Sequence, residues 1–241
     1  MIQNFLKTLY GIYAALIVSI VIIICVPFYF LLFTTNIFGK KTPHAAHKIS
    51  YGMAKTLFIF YLIRVNVKRK HQLKKDGVYI FVSNHTSLLD VPVCALVTPV
   101  TFRYLSKEEL VKIPFFGYII RKLYLSVNRK DEASRARSLE NMKRSLNEGI
   151  SIYLFPEGTR NKTGEPLKNF YDGAFKLSLD TGIPLVPMTI RNSGNLLHGF
   201  KLKPGVIECL WSPPIFPKKG DSAESLKEQV RMVMLKDLQH Q

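Results

Sequence analysis

Between Thr8 and Gly39 lie 32 consecutive residues without a charge or a histidine, and within them Ala14–Phe33 is broken only by Ser19 and Pro27. A backbone in hydrocarbon must satisfy its own hydrogen bonds, so this run is read as a helix that seeks lipid. Fully helical it would reach roughly 48 Å at ~1.5 Å per residue, more than the ~30 Å of a hydrocarbon core. Pro27 removes a helical hydrogen bond, so both a tilted span and a hairpin dipping into one leaflet fit. A cleaved signal peptide fits less well, because Phe28-Tyr29-Phe30 stands where small residues belong. A second apolar stretch, Thr56–Ile63, is too short to span, and residues 1–66 are read as membrane-anchoring helices.

Charge then bears on partners. The chain carries 34 Lys and Arg against 17 Asp and Glu, which suits nucleic acid or an anionic bilayer. The apolar run and the lack of any nucleic-acid motif favour the bilayer and exclude nucleic acid as a partner. Lys40, Lys41, Lys68, Arg69, Lys70, Lys74 and Lys75 flank the anchor. Lys40 and Lys41 after the run, against Lys7 before it, place the bulk of the chain on the cytoplasmic face. The three cysteines are widely spaced and form no CxxC, so neither a disulfide framework nor a metal knuckle is expected.

Residues 67–241 read as one α/β domain with a central, mainly parallel or mixed sheet flanked by helices. Strands are expected at Arg64–Lys70, Val78–Val82, Thr101–Leu105, Leu123–Val127, Ser151–Phe155, Leu185–Ile190 and Val206–Trp211. A helix is expected from Glu132 to Glu148, capped by Asp131 and ended by Gly149, with Ala136, Leu139, Met142 and Leu146 as its apolar face. Asp221 and Glu224 resemble a capping box opening a last helix that packs through Leu226, Val230, Val233 and Leu238.

Two short segments carry chemistry. Asn84-His85-Thr86-Ser87-Leu88-Leu89-Asp90 follows a predicted strand. A hydroxyl is a poor nucleophile at neutral pH; an imidazole can take its proton, and a carboxylate can fix the imidazole tautomer. Residues five apart do not share a helix face, and Pro92 belongs in a first turn, so the helix begins near Asp90 with His85 on the loop before it. Read by residues alone, the competing reading is that Ser87 or Asp90 only caps that helix and His85 is a surface loop residue. Ser83 and Ser87 lack the G-x-S-x-G setting of a serine nucleophile, and ligands for a metal are too few. The second segment, Phe155-Pro156-Glu157-Gly158-Thr159-Arg160, is a tight turn after a strand, expected to display Glu157 and Arg160 together. Arg offers a donor fork matched to phosphate, and Glu accepts from hydroxyl groups. An ordinary surface turn remains the competing reading.

Together the blocks resemble the glycerolipid acyltransferase family, most closely its 1-acyl-sn-glycerol-3-phosphate acyltransferases. His85 to Asp90 resembles the His-x4-Asp block and Phe155–Arg160 the third block. Phe102–Leu110 with Ile113-Pro114-Phe115-Phe116-Gly117 resembles the second, and Ile183-Pro184-Leu185-Val186-Pro187 the fourth. One position departs: Asn128 precedes Arg129 where many members carry an acidic residue. The resemblance implies a monotopic enzyme with a two-helix anchor, using no cofactor and moving an acyl group from acyl-CoA or acyl-carrier protein to lysophosphatidic acid, with glycerol 3-phosphate or another lysophospholipid as the alternative acceptor and a non-catalytic lipid-binding protein as the remote alternative. It implies His85 as general base, Asp90 as its orienting partner, and Glu157, Gly158, Thr159 and Arg160 against the phosphorylated acceptor. Lys107 and Arg103 are implied as further phosphate contacts.

Overall fold

The computed structural model describes residues 2–69, 72–113, 116–198 and 201–239; Lys70 of the basic flank and Pro114-Phe115 of the second block lie outside the described residues. Strands are β1 (Ile63–Arg69), β2 (Ile80–Ser83), β3 (Phe102–Lys107), β4 (Leu125–Val127), β5 (Ser151–Leu154), β6 (Leu185–Arg191), β7 (Leu197–His198), β8 (Lys201–Leu202) and β9 (Gly205–Trp211). Helices are α1 (Ile2–Thr35), α2 (Thr42–Phe60), α3 (Asp90–Val97), α4 (Phe116–Leu123), α5 (Glu132–Asn147), α6 (Gly173–Thr181), α7 (Ser193–Leu196) and α8 (Ala223–Gln239). Among the described residues the main sheet has seven strands in the order β1-β9-β6-β2-β5-β3-β4, and β7 pairs with β8 in a separate antiparallel ribbon. The expected α/β class is thus observed.

The chain groups into two compact units. The first comprises Met1–Lys68, Thr86–Thr98 and Ile190–Cys209. Its α1 is long and apolar enough over Leu9–Thr35 to cross a membrane, and it leaves Ile12, Leu16, Ile23, Phe28 and Leu31 exposed. Buried polar tips fasten α1 to α2: the Tyr29 and Ser50 hydroxyls lie 2.7 Å apart, and the Tyr61 hydroxyl donates to the Ala14 carbonyl at 2.9 Å. Small residues, Ala46, Ser50 and Ala54, face inward from α2 and let neighbours approach closely. Among the described residues Cys94 and Cys209 are buried and Cys25 is half-buried.

The second unit comprises Arg69–His85, Pro99–Thr189 and Leu210–Gln241. Strands β6, β2, β5, β3 and β4 run parallel, with Val82 paired to Leu154, Tyr104 to Tyr153 and Lys107 to Val127. Parallel sheets need cover on both faces, and the strand alternation supplies it. Ile80, Val82, Ile152 and Leu154 pack with Met142, Leu146, Phe175, Leu226 and Val230 of the helices. On the opposite face Phe81 stacks on Tyr153 at 5.6 Å between ring centroids and meets Trp211 edge-on at 5.3 Å. Burying each such ring contributes about 2 to 3 kcal/mol.

Two helices differ from the sequence reading in detail. Asp131 caps α5 as expected, its carboxylate accepting from the Ala133 amide at 3.0 Å, and Gly149 follows with φ +78°. Ala136, however, is exposed, and the buried face runs through Ser138, Met142, Ser145 and Leu146. α8 is opened by a reciprocal pair: each of the Ser222 and Ser225 hydroxyls accepts the other's amide at 3.0 Å. Asp221 instead accepts the Lys218 amide at 2.8 Å, while Glu224 pairs with Lys227. Leu226, Val230 and Met234 are the buried apolar residues of α8, with Asp237 on the same side taking the Thr189 and Ser212 hydroxyls.

Candidate active site

In a parallel sheet every strand ends on the same edge, and the loops beyond that edge collect chemistry. Within the second unit, β2 delivers His85 to this edge, β5 delivers Phe155–Arg160, β3 ends at Lys107, and β4 leads to Arg129. The two sequence motifs are therefore neighbours by topology.

Their main chains are interlocked. The His85 amide donates to Oε1 of Glu157 at 2.8 Å, and the His85 carbonyl accepts the Asn161 amide at 2.6 Å. Oε2 of Glu157 accepts the Lys168 amide at 3.0 Å. Glu157 is only 1% exposed, so the turn displays Arg160 but not Glu157. The sequence expectation of the two side by side is corrected here, because both carboxylate oxygens are occupied by backbone amides. Burial pushes the Glu157 carboxyl above its ordinary range, and the amides of Lys168 and His85 oppose that shift. The imidazole of His85 stacks on Phe155 at 4.2 Å and 20° between planes, and Phe155 stacks in turn on Tyr104. His85 as a whole is half-buried.

The turn itself closes through the Gly158 amide on the Phe155 carbonyl at 2.9 Å. Gly158 has φ +77°, and a Cβ there would lie 2.5 Å from the Tyr171 ring and 2.9 Å from Nη1 of Arg129. Only glycine admits both the conformation and the close guanidinium. Thr159 and Arg160 are exposed, and Thr159 accepts from Nζ of Lys168 at 2.8 Å. Lys107 is exposed and pairs with Glu109 at 2.8 Å. Arg103 pairs in register with Ile152, four residues and roughly 13 Å before the strand end at about 3.3 Å per residue. The structure does not bring Arg103 to the edge that gathers the others. Arg129 was noted in the sequence only for its atypical neighbour Asn128; the structure sets it against the Gly158 turn, half-buried, its pKa lowered chiefly by burial. Asn161, Lys168 and Tyr171 were missed, since the amides of the first two and the ring of the third reach the site only through tertiary contact that no motif spacing reveals.

In the first unit, α3 begins at Asp90 and Pro92 occupies its first turn, as expected. Asp90 is fully buried, and its Oδ2 accepts the amides of Thr86 at 2.7 Å and Ser87 at 2.8 Å. These are the two residues that follow His85 in the chain. Among the described residues no group of His, Cys, Asp and Glu has a metal-ligand arrangement. Within the second unit the sheet edge offers an imidazole and exposed cations, groups that can serve proton transfer beside an anionic substrate.

Residues 64–191 match the acyltransferase family model. The chloroplast 1-acyl-sn-glycerol-3-phosphate acyltransferase LPAT1 of Arabidopsis thaliana is 29% identical over 190 residues, 76% of this chain and 51% of its own length. The chain thus spans about half the length of that plant relative. The Salmonella typhimurium 1-acyl-sn-glycerol-3-phosphate acyltransferase is 29% identical over 81% of this chain and 78% of its own. The crystal structure of the 1-acyl-sn-glycerophosphate acyltransferase PlsC from Thermotoga maritima superposes with a TM-score of 0.78 at 27% identity, covering 98% of this chain and 95% of that one. With its parallel-sheet edge, its interlocked motifs and a family match over more than half its residues, this chain belongs to the acyltransferase family.

Proposed function

We propose that the chain transfers a fatty acyl group from a thioester, acyl-CoA or acyl-carrier protein, to the free sn-2 hydroxyl of 1-acyl-sn-glycerol 3-phosphate, giving phosphatidic acid. The observation that carries this reading is the pinning of the His85 main chain by Glu157 and Asn161, on the edge where Arg160, Lys107 and Arg129 also end. Positioned bases of this kind contribute roughly 10² to 10⁴ in rate. The relatives' names supply the substrate class, and the local chemistry fits it.

In the proposed mechanism one imidazole nitrogen of His85 takes the acceptor hydroxyl proton while the oxygen attacks the thioester carbon. Asp90 accepts from the other ring nitrogen and stabilises the imidazolium that forms. The tetrahedral intermediate collapses with cleavage of the C–S bond, and the departing thiolate recovers the proton from His85. Arg160 and Lys107 bind the phosphate, Arg129 adds charge beside Gly158, and no covalent acyl-enzyme or cofactor is required. The apolar α1 holds the enzyme in the membrane with the catalytic residues on the cytoplasmic face, where Lys40 and Lys41 meet anionic lipid.

The test is a donor and acceptor panel with purified protein in detergent: acyl-CoA and acyl-carrier protein against lysophosphatidic acid, glycerol 3-phosphate and lysophosphatidylcholine. Phosphatidic acid from lysophosphatidic acid at the highest kcat/KM is expected. Acylation of glycerol 3-phosphate alone, or of none of the three, overturns the assignment.

A further inference from the structure

The bonds that hold Asp90 extend beyond both motifs. Its Oδ2 takes two backbone amides, while Oδ1 accepts the hydroxyl of Ser193 at 2.5 Å, from 103 residues away in the chain. Ser193 is itself fully buried and opens α7, immediately after Asn192 at φ +68° and just beyond the end of β6. Its oxygen also lies 3.0 Å from Oγ1 of Thr86. A serine hydroxyl has one proton, and here Asp90 receives it, so Thr86 must be the donor in the second contact. The row therefore has a direction, Thr86 to Ser193 to Asp90, and ends on a carboxylate, where donation is strongest. Gly194 keeps the row close: a Cβ there would meet Cβ and Oγ1 of Thr86 at 3.3 Å.

Geometry gives this row a task. The terminal torsion of an Asp side chain is broad, so a carboxylate held through one oxygen alone is held less firmly than one held through both. A donor on Oδ1 adds a second held oxygen and so stiffens the carboxylate plane. We infer that Ser193, backed by Thr86, is a positioning residue for acyl transfer, orienting the Asp90 carboxylate that orients His85. The inference rests on the His85–Asp90 reading above.

The experiment measures kcat and acceptor KM for full-length Ser193→Ala and Ser193→Thr, each in the Asp90 and Asp90→Asn backgrounds, with unfolding midpoints alongside. Ser193→Ala is expected to lower kcat about tenfold with KM nearly unchanged, the signature of an interaction acting in the transition state. Ser193→Thr keeps the hydroxyl and should restore most of the loss. In the Asp90→Asn background Ser193→Ala should lower kcat no further, because coupled groups are not additive. An equal fold-loss in both backgrounds, or a Thr variant as impaired as the Ala variant, overturns the inference. Should Ser193→Ala not fold, Thr86→Val replaces it: a lowered kcat that vanishes in the Asp90→Asn background supports the row, and an unchanged kcat refutes it. Full activity of Asp90→Asn itself would instead refute the His85–Asp90 reading, which separates the two failures.

Discussion

Replacing Glu157 by Gln tests whether this side chain organises the site or touches the substrate. The carboxylate accepts the His85 amide at 2.8 Å and the Lys168 amide at 3.0 Å, one on each oxygen. A Gln can accept only one of these, and its NH2 must then face the other N–H, donor against donor. One bond to a charged acceptor, worth about 1.5 to 3 kcal/mol, is lost, and the survivor falls to about 1 kcal/mol. Easier burial of a neutral amide offsets part of the loss. A net destabilisation of about 2 to 3 kcal/mol is expected, a large share of a typical 5 to 15 kcal/mol. If the His85 side gives way, a displacement of about 1 Å is enough to lower turnover about 10²-fold. Urea unfolding and acyl-transfer kinetics on the same preparations measure both effects, with acceptor KM expected to stay nearly constant. A raised KM with kcat and stability intact would mean that Glu157 contacts the acceptor directly, and the structural reasoning would be refuted. The pH dependence carries a matching sign. Because burial raises the Glu157 pKa, the folded state holds that proton more tightly than the unfolded one, so this group's contribution falls as pH rises above about 4.3. The Gln variant should lack that slope.

Other perturbations have equally definite outcomes. Gly158→Ala must adopt φ +77° and displace Tyr171 or Arg129; a loss of about 1 to 2 kcal/mol in stability and a raised acceptor KM are expected, and unaltered kinetics would remove Arg129 from the site. Arg160→Ala should raise acceptor KM by roughly 10- to 100-fold for a lost charge-assisted contact, read from initial rates, whereas unchanged kinetics would move the phosphate site elsewhere. His47 has its pKa pushed down to about 4, first by burial and then by His44, so stability should decline by up to about 3 kcal/mol as pH falls from about 6.5 to 4. Thermal melts of His47→Leu should lose that decline; an identical pH profile would contradict it.

Much of the fold could be read from local pattern because local forces produce it. Most main-sheet strands are rich in β-branched and aromatic residues, and Asp131 caps α5 through its own side chain within two residues. Ala136 was misassigned because helical periodicity finds a stripe but not its edge, and the partners of α5 place Ser138 and Ser145 inside instead. At the start of α8 an acidic pair and a serine pair both suited a cap, and the serines won because each could reach the other's amide. Residue chemistry and spacing offered His85 and Asp90 as a pair but left capping by Ser87 or Asp90 open, and the family resemblance singled the pair out. Glu157 was recognised as important but given an outward role, since no local rule says that the His85 and Lys168 amides, 72 and 11 residues away, converge on it. Ser193 had no signal of its own: a serine after a strand is commonplace, and only tertiary contact sets its hydroxyl on Asp90.

The most direct test of the central claim compares wild type with His85→Ala in transfer of labelled acyl groups from acyl-CoA and acyl-carrier protein to lysophosphatidic acid, in detergent and in lipid vesicles. Phosphatidic acid from the wild type, with turnover at least about 10² lower in the variant and vesicle binding retained, is the predicted result. A variant that turns over at the wild-type rate would contradict the assignment of His85 as the base.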